Sequence, residues 1–314
     1  LPERGRGMRG PLKTFEEVVA AALARGEITV AVAAGHDPAA LEACAFAEAT
    51  GLGRCVLVGE PGRIEEAVAA MPEPLARAEI VAAEGEEEAA QKAVELVREG
   101  RAHTALKGKV PTATFMKAVL DGERGLRTDR LISDEFVFEY PDPDAGARLV
   151  CITDGGVTIA PTLAQKKEII ENAVQLYHAL GFERPRVALL SMVERPVKGH
   201  QPSEDAVALT EMYKRGEIEG CVVEGPLSLD LSVSMEAVRA KGYESEVAGR
   251  ADILVVPEIV SGNLLAKGTT YFAHYRLAHA MMGTARPVLI PSRSDTAEAK
   301  FHSLALCALV CSAA

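Results

Sequence analysis

The sequence predicts two α/β domains built on mostly parallel sheets. Strand-like and helix-like runs alternate along nearly the whole chain, the pattern of βα units that cover both faces of a parallel sheet. The strand-like runs are almost continuously apolar, as strands buried on both faces must be. The chain has 314 residues, enough for about two cores.

Glu27 to Gly35 (EITVAVAAG) reads as a buried strand and Asp37 to Thr50 as its helix. Gly53 to Gly59 (GRCVLVG) is the next strand. Glu86 to Arg98 is a helix stopped at Gly100, His103 to Gly108 a short strand, and Thr112 to Leu120 another helix. The middle differs: Leu131 to Tyr140 and Arg148 to Thr153 are strand-like runs joined by the turn-rich PDPDAG, an antiparallel hairpin by its turn chemistry. Alternation then resumes. Pro161 stands where a first helical residue should, and the helix runs to Leu180 before Gly181. Strands follow at Arg186 to Met192, Gly220 to Glu224, Asp252 to Pro257 and Pro287 to Pro291. A last helix from about Ser294 is apolar enough to pack back on an early sheet. The expected organisation is a tail or tag remnant at 1–12, a first domain at 13–130 plus 290–314, and a second at 131–289. A ligand is expected in a cleft between them.

Net charge is −11, with no basic stripe, which argues against nucleic acid as a partner. An anionic substrate would have to be met by local cations and helix N-termini. Six cysteines are scattered without a CxxC pair; they read as buried thiols in a reducing cytoplasm. The first ten residues lack the apolar stretch of a signal peptide, and Leu304 to Val310 is too short to span a bilayer.

Ser292-Arg293-Ser294-Asp295 follows a strand and opens the last helix. Ligands of open α/β sheets bind at the carboxyl ends of strands, and Arg293 would offer a planar fork to phosphate oxygens. Asp295-Thr-Ala-Glu298 also reads as a capping box. Ser261-Gly262-Asn263 places small and polar groups at another helix start, with Lys267 four residues on; alone, this is an N-cap and a surface lysine. Lys107, Lys109 and Lys117 cluster around the entry to a helix beginning near Thr112. Asp154-Gly155-Gly156 and Gly225-Pro226 read as strand exits that could line a cleft. No phosphate-binding GxxxxGK[ST], dinucleotide GxGxxG, HExxH or GxSxG motif is present in its required context.

Together these segments resemble the phosphate acetyl/butyryltransferase family. The resemblance rests on GPLSLDLSVS (Gly225 to Ser234), SEVAGRADILVVPEIVSGNLLAK (Ser245 to Lys267) and PSRSD (Pro291 to Asp295). KGKVPTATFMKAVLDGERGLRT (Lys107 to Thr128) and ITDGGVTIAPTLAQKKEIIENAV (Ile152 to Val174) add to it and are closer to the butyryl branch than to the acetyl branch. The resemblance runs from about Phe15 to Leu309. It implies two α/β/α domains like those of isocitrate and isopropylmalate dehydrogenases, with an interdomain cleft. It implies a homodimer or higher homo-oligomer, and direct acyl transfer between coenzyme A and inorganic phosphate without metal or cofactor.

By the same resemblance, Ser292 and Arg293 stabilise the reacting carbonyl and phosphate. Ser261, Gly262, Asn263 and Lys267 match the other wall; Lys107, Thr112, Lys117, Asp154, Gly225 and Pro226 are further candidate substrate-binding residues. Two positions depart from the acetyl-type pattern. Lys117 stands where a functional arginine is expected, and Ala299, beside Glu298, where a carboxylate base is expected. Asp295 is therefore nominated as the thiol base. The alternatives are an acetyl-specific enzyme, a non-catalytic regulatory domain of this fold, and a nicotinamide-dependent dehydrogenase of the related fold.

Overall fold

The computed structural model describes residues 10–73, 75–292 and 294–313. The nominated Arg293 and most of the expected tail lie outside the described residues. Leu12 is buried, and its N–H donates to Leu180 O at 3.0 Å. The chain divides into two compact units, Leu1–Glu17 with Leu131–Leu277, and Val18–Arg130 with Ala278–Ala314. Elements are numbered in chain order.

In the unit holding residues 18–130, β1 (Ile28–Ala33), β2 (Gly53–Gly59), β3 (Glu79–Ala82) and β4 (Thr104–Lys107) are joined by β10 (Leu277–Met282) and β11 (Val288–Leu289). Their order is β3-β2-β1-β4-β11-β10. All pairings are parallel except β10 with β11. The helices are α1 (Phe15–Arg25), α2 (Pro38–Thr50), α3 (Pro61–Ala69), α4 (Gly85–Arg98), α5 (Thr112–Val119) and α11 (Ala297–Ala313). Every residue of β1 is buried, which is why its sequence is apolar without alternation. Asp37 caps α2 by accepting from Ala40 N–H at 2.8 Å, and Gly51 ends it at φ 78°, a left-handed conformation that glycine adopts without Cβ strain. Leu304 to Val310 of α11 are all buried. Phe301 meets Phe46 of α2 edge-on at 6.2 Å, so this helix packs on early elements as its composition predicts.

In the other unit, β5 (Ser133–Tyr140), β6 (Arg148–Thr153), β7 (Arg186–Leu190), β8 (Val222–Leu227) and β9 (Ile253–Val255) lie in the order β5-β6-β9-β7-β8. With them are α6 (Leu163–Ala179), α7 (Gln201–Lys214), α8 (Leu229–Val233), α9 (Met235–Lys241) and α10 (Ile259–Tyr271). β5 and β6 form the expected antiparallel hairpin, and the remaining pairings are parallel. The hairpin turn is held by Asp142, whose Oδ1 accepts from Asp144 N–H at 2.8 Å and Ala145 N–H at 3.0 Å, an aspartate turn of the kind PDPDAG encodes.

Three expectations are corrected. α6 begins at Leu163 rather than Pro161, because Thr162 and Gln165 form a reciprocal capping box that fixes the first turn two residues later. α11 begins at Ala297 rather than Ser294, with Thr296 Oγ1 accepting from Ala299 N–H at 3.1 Å. The strand expected at 220–224 runs as Val222–Leu227, so Gly225 and Pro226, joined by a cis peptide bond, lie within β8 and do not form its exit. A Cβ at Gly225 would stand 2.5 Å from Leu189 Cβ and 2.9 Å from Leu189 O; this glycine lets β7 and β8 meet. Gly225→Ala is expected to lower stability by about 1–3 kcal/mol, an overpacking cost, read as a lower urea midpoint with an unchanged slope.

Candidate active site

In the unit holding residues 18–130, β1, β4 and β11 point their carboxyl ends the same way. Lys107 closes β4 and is buried, its Nζ 3.4 Å from both Gly108 O and Val110 O. Gly108 allows that turn, since a Cβ there would lie 2.6 Å from Ala33 O. Thr112 and Lys117 follow on α5, both exposed. Beyond β11, Ser292 N–H donates to Asp295 Oδ2 at 2.7 Å, and Ser292 O accepts from Asp295 N–H at 3.2 Å. Ser292 Oγ lies 3.1 Å from Ser294 Oγ. Asp295 therefore does not cap α11, which Thr296 does; it closes the turn that presents Ser292.

Two residues of this cluster escaped sequence reasoning. His279 Nε2 stands 3.7 Å from Asp295 Oδ2. Lys300 Nζ donates to Asp295 O at 2.7 Å, and burial holds its ammonium pKa below the ordinary lysine value. Neither carries a local signal, because one lies on β10 and the other a turn into α11.

In the other unit, Asp154 follows β6 and is 3% exposed. Its Oδ1 accepts from Asp134, Gly156 and Val157 N–H at 3.3, 2.9 and 3.1 Å, and its Oδ2 from Thr158 N–H at 2.8 Å. Burial, with the nearby Asp134 charge, raises its pKa, and the N–H groups of Gly156, Thr158 and Val157 oppose the rise. Asp154 thus shapes the loop, in which Gly155 is buried and Gly156 exposed. A Cβ at Gly155 would lie 2.9 Å from Gly262 C, and one at Gly262 would lie 2.7 Å from Asp154 O. Asn263 Nδ2 donates to Gly155 O at 3.1 Å. The β6 exit and the first turns of α10 therefore interlock through two glycines.

The N-cap of α10 is Glu258, which accepts from Val260 and Ser261 N–H, both at 2.8 Å. Ser261, Gly262 and Asn263 sit inside the helix, and Lys267 is exposed one turn beyond Asn263. Asp154, Ser261, Gly262 and Asn263 are brought together. Gly225 and Pro226 are not, since β8 lies three strand spacings from β6, about 14 Å.

Four of the six cysteines are poor nucleophiles. Burial pushes Cys151 and Cys307 well up, Cys221 to about 12 and Cys311 to about 11, and the thiolate is the reactive form.

Residues 77–308 match the family described as phosphate acetyl/butaryl transferase. The chain is 40% identical over 300 residues to a phosphate butyryltransferase of Clostridium acetobutylicum, covering 95% of this chain and 98% of that one. It is 38% identical over 295 residues to a phosphate acetyltransferase of Rhizobium meliloti, covering 94% and 92%. A branched-chain phosphotransacylase from Enterococcus faecalis V583 superposes with a TM-score of 0.79 at 35% identity, covering 90% of this chain and 99% of that one. The α/β architecture and these likenesses define a phosphate acyltransferase. Within that class, the chain belongs to the phosphate acetyl/butyryltransferase family.

Proposed function

We propose that this protein transfers a short acyl group, butyryl in preference to acetyl, between coenzyme A and inorganic phosphate in one ternary complex. The end-to-end match to the phosphate butyryltransferase, at 40% identity over 300 residues, carries this reading. In the direction that consumes acyl phosphate, Asp295 takes the thiol proton of coenzyme A. Its Oδ2 is engaged by Ser292 N–H, and its Oδ1, which makes no hydrogen bond to a described residue, is the atom that receives the proton. The thiolate sulfur attacks the acyl carbon and a C–S bond forms. The carbonyl electron pair moves onto oxygen, then returns to expel phosphate as the C–O bond breaks. Ser292 and Arg293 meet the oxyanion and the departing phosphate.

The exposed Thr112, Lys117 and Lys267 contact the anionic parts of the substrates. Lys107, Asp154, Gly225 and Pro226 act through the turns and strands they shape, and Ser261, Gly262 and Asn263 through the α10 wall. No cofactor takes part. The chemistry needs only orientation and electrostatics.

Among the described residues, no helix is long and apolar enough to cross a membrane, and the free cysteines suit a reducing cytoplasm. Val260, Leu264 and Tyr271 of α10 are exposed, an apolar stripe suited to a homodimer contact, which equilibrium sedimentation would test.

Phosphate-dependent thiol release across an acyl-CoA series decides the reading. Each methylene is worth about 1–3 kcal/mol in an apolar pocket, so kcat/KM for butyryl-CoA should exceed that for acetyl-CoA at least about tenfold. An acetyl preference would make the protein a phosphate acetyltransferase. No thiol release from any acyl-CoA would leave it a non-catalytic member of the fold.

A further inference from the structure

A cavity of about 450 Å³ opens at the end of the β1, β4 and β11 strands opposite the candidate active site. Its wall takes Arg98 from the last turn of α4, His103 just before β4, Arg127 from the segment after α5, and Arg286 just before β11. Ala285 N–H donates to Leu126 O at 2.9 Å, and Thr128 Oγ1 to Gly283 O at 2.5 Å, so the segment after α5 and the β10–β11 turn are fixed to each other. Lys107 lies at the far end of β4 from His103, about 13 Å away along the strand.

The charge of this cavity runs against that of the chain. Acidic residues outnumber Lys and Arg by 45 to 34, yet the lining holds three arginines and a histidine and neither Asp nor Glu. Other arginines of the same unit are matched: Arg77 with Glu27, Arg101 with Glu79 and Arg124 with Glu95. Arg98 and Arg127 make no hydrogen bond or ion pair to a described residue. Among the described residues, the Arg286 guanidinium makes one weak hydrogen bond, Nη1 to Cys311 O at 3.4 Å. The nearby Asp121 accepts on Oδ1 from the N–H groups of Glu123 and Arg124, at 2.9 and 2.7 Å; these bonds and then the charges of Arg124 and Arg98 hold its pKa down, so Arg98 has this one countercharge without an ion pair, and Arg127 has none of that kind among the described residues. His103 Nδ1 accepts from Thr29 N–H at 2.9 Å, which puts the proton of the neutral ring on Nε2 as a further donor.

A helix C-terminus accounts for Arg98 by itself, since a cation there complements the dipole. It does not account for Arg127 and Arg286, which lie outside helices and crowd like charge around one concavity. The volume is that of an ordinary small-molecule site, and planar guanidinium forks suit phosphate oxygens.

We propose that this cavity is a second anion site, separate from the acyl-transfer site, that takes a small molecule carrying a diphosphate group. Arg98, Arg127 and Arg286 bind the phosphate oxygens, and His103 adds a hydrogen bond. Calorimetric titration with inorganic pyrophosphate tests it on the full chain. The Arg98→Ala/Arg127→Ala double variant should bind about 100-fold more weakly, roughly tenfold for each charged hydrogen-bond donor removed. Its phosphate-dependent thiol release should stay within about twofold of the parent, and a Ser292→Ala variant should bind pyrophosphate as the parent does. Should the double variant fold poorly, Arg127→Ala alone should still show the roughly tenfold loss. The proposal is overturned if the parent does not bind pyrophosphate, if the arginine variants bind it undiminished, or if Ser292→Ala abolishes binding. Because binding is read without turnover, failure here leaves the acyl-transfer reading standing, and the reverse holds as well.

Discussion

Arg293→Ala is expected to lower kcat/KM for acyl transfer by roughly 30- to 1,000-fold, about 2–4 kcal/mol of transition-state stabilisation. Negative charge grows on the acyl oxygen and on the departing phosphate as the thiolate attacks. A guanidinium supplies two parallel donors whose spacing matches those oxygens, and its charge needs no reorganisation at the moment of reaction. Arg293→Lys keeps the charge and loses the fork, so it should recover only part of the rate. Thermal unfolding of both variants should match the parent, which separates a catalytic loss from a folding defect. Unchanged turnover in Arg293→Ala would remove this residue from the mechanism, and with it the main electrostatic contribution proposed for the Ser292–Asp295 turn.

The largest stability effect is expected at Arg148, on the second strand of the β5–β6 hairpin. Its guanidinium pairs with Asp142 at 2.7 Å, both side chains being 9% exposed. It also donates to Ala251 O at 2.7 Å and Val233 O at 3.1 Å, and lies 5.2 Å from the Tyr140 ring centre. Arg148→Met should cost about 3–5 kcal/mol, because it strands the Asp142 carboxylate in a buried site. That is a large share of the 5–15 kcal/mol or so by which a domain is stable. Asp142→Asn combined with Arg148→Met should regain a good part of the loss, since no buried charge is then left alone. Urea unfolding measures both. A loss below about 1 kcal/mol in the single variant would mean that Asp142 is reached by water and that the pair behaves as a surface bridge.

Local signals were enough for most of the α/β frame. EITVAVAAG reads as a strand buried on both faces, and PDPDAG as the turn of a hairpin. Strand–loop–helix motifs in one order along the chain carried the family resemblance. The same reading misplaced the groups whose partners are distant or compete locally. Asp295 looked like a cap for α11, but Thr296 caps that helix and Asp295 closes the preceding turn. Ser261 looked like a helix start, but Glu258 reaches the free N–H groups first.

Periodicity, turn chemistry and motif order are written in neighbouring residues, so nine of the eleven strands, the hairpin and the family were legible along the chain; the largely exposed β3 and the strand β10 were not. Long-range packing set the sheet order β5-β6-β9-β7-β8, which separates Gly225 and Pro226 from Asp154. It also set the Gly155–Gly262 contact, the approach of His279 and Lys300 to Asp295, and the arginine-lined cavity. Each of these depends on which segments become neighbours after long chain excursions, and on which donor outcompetes another once water is gone. No local pattern encodes either.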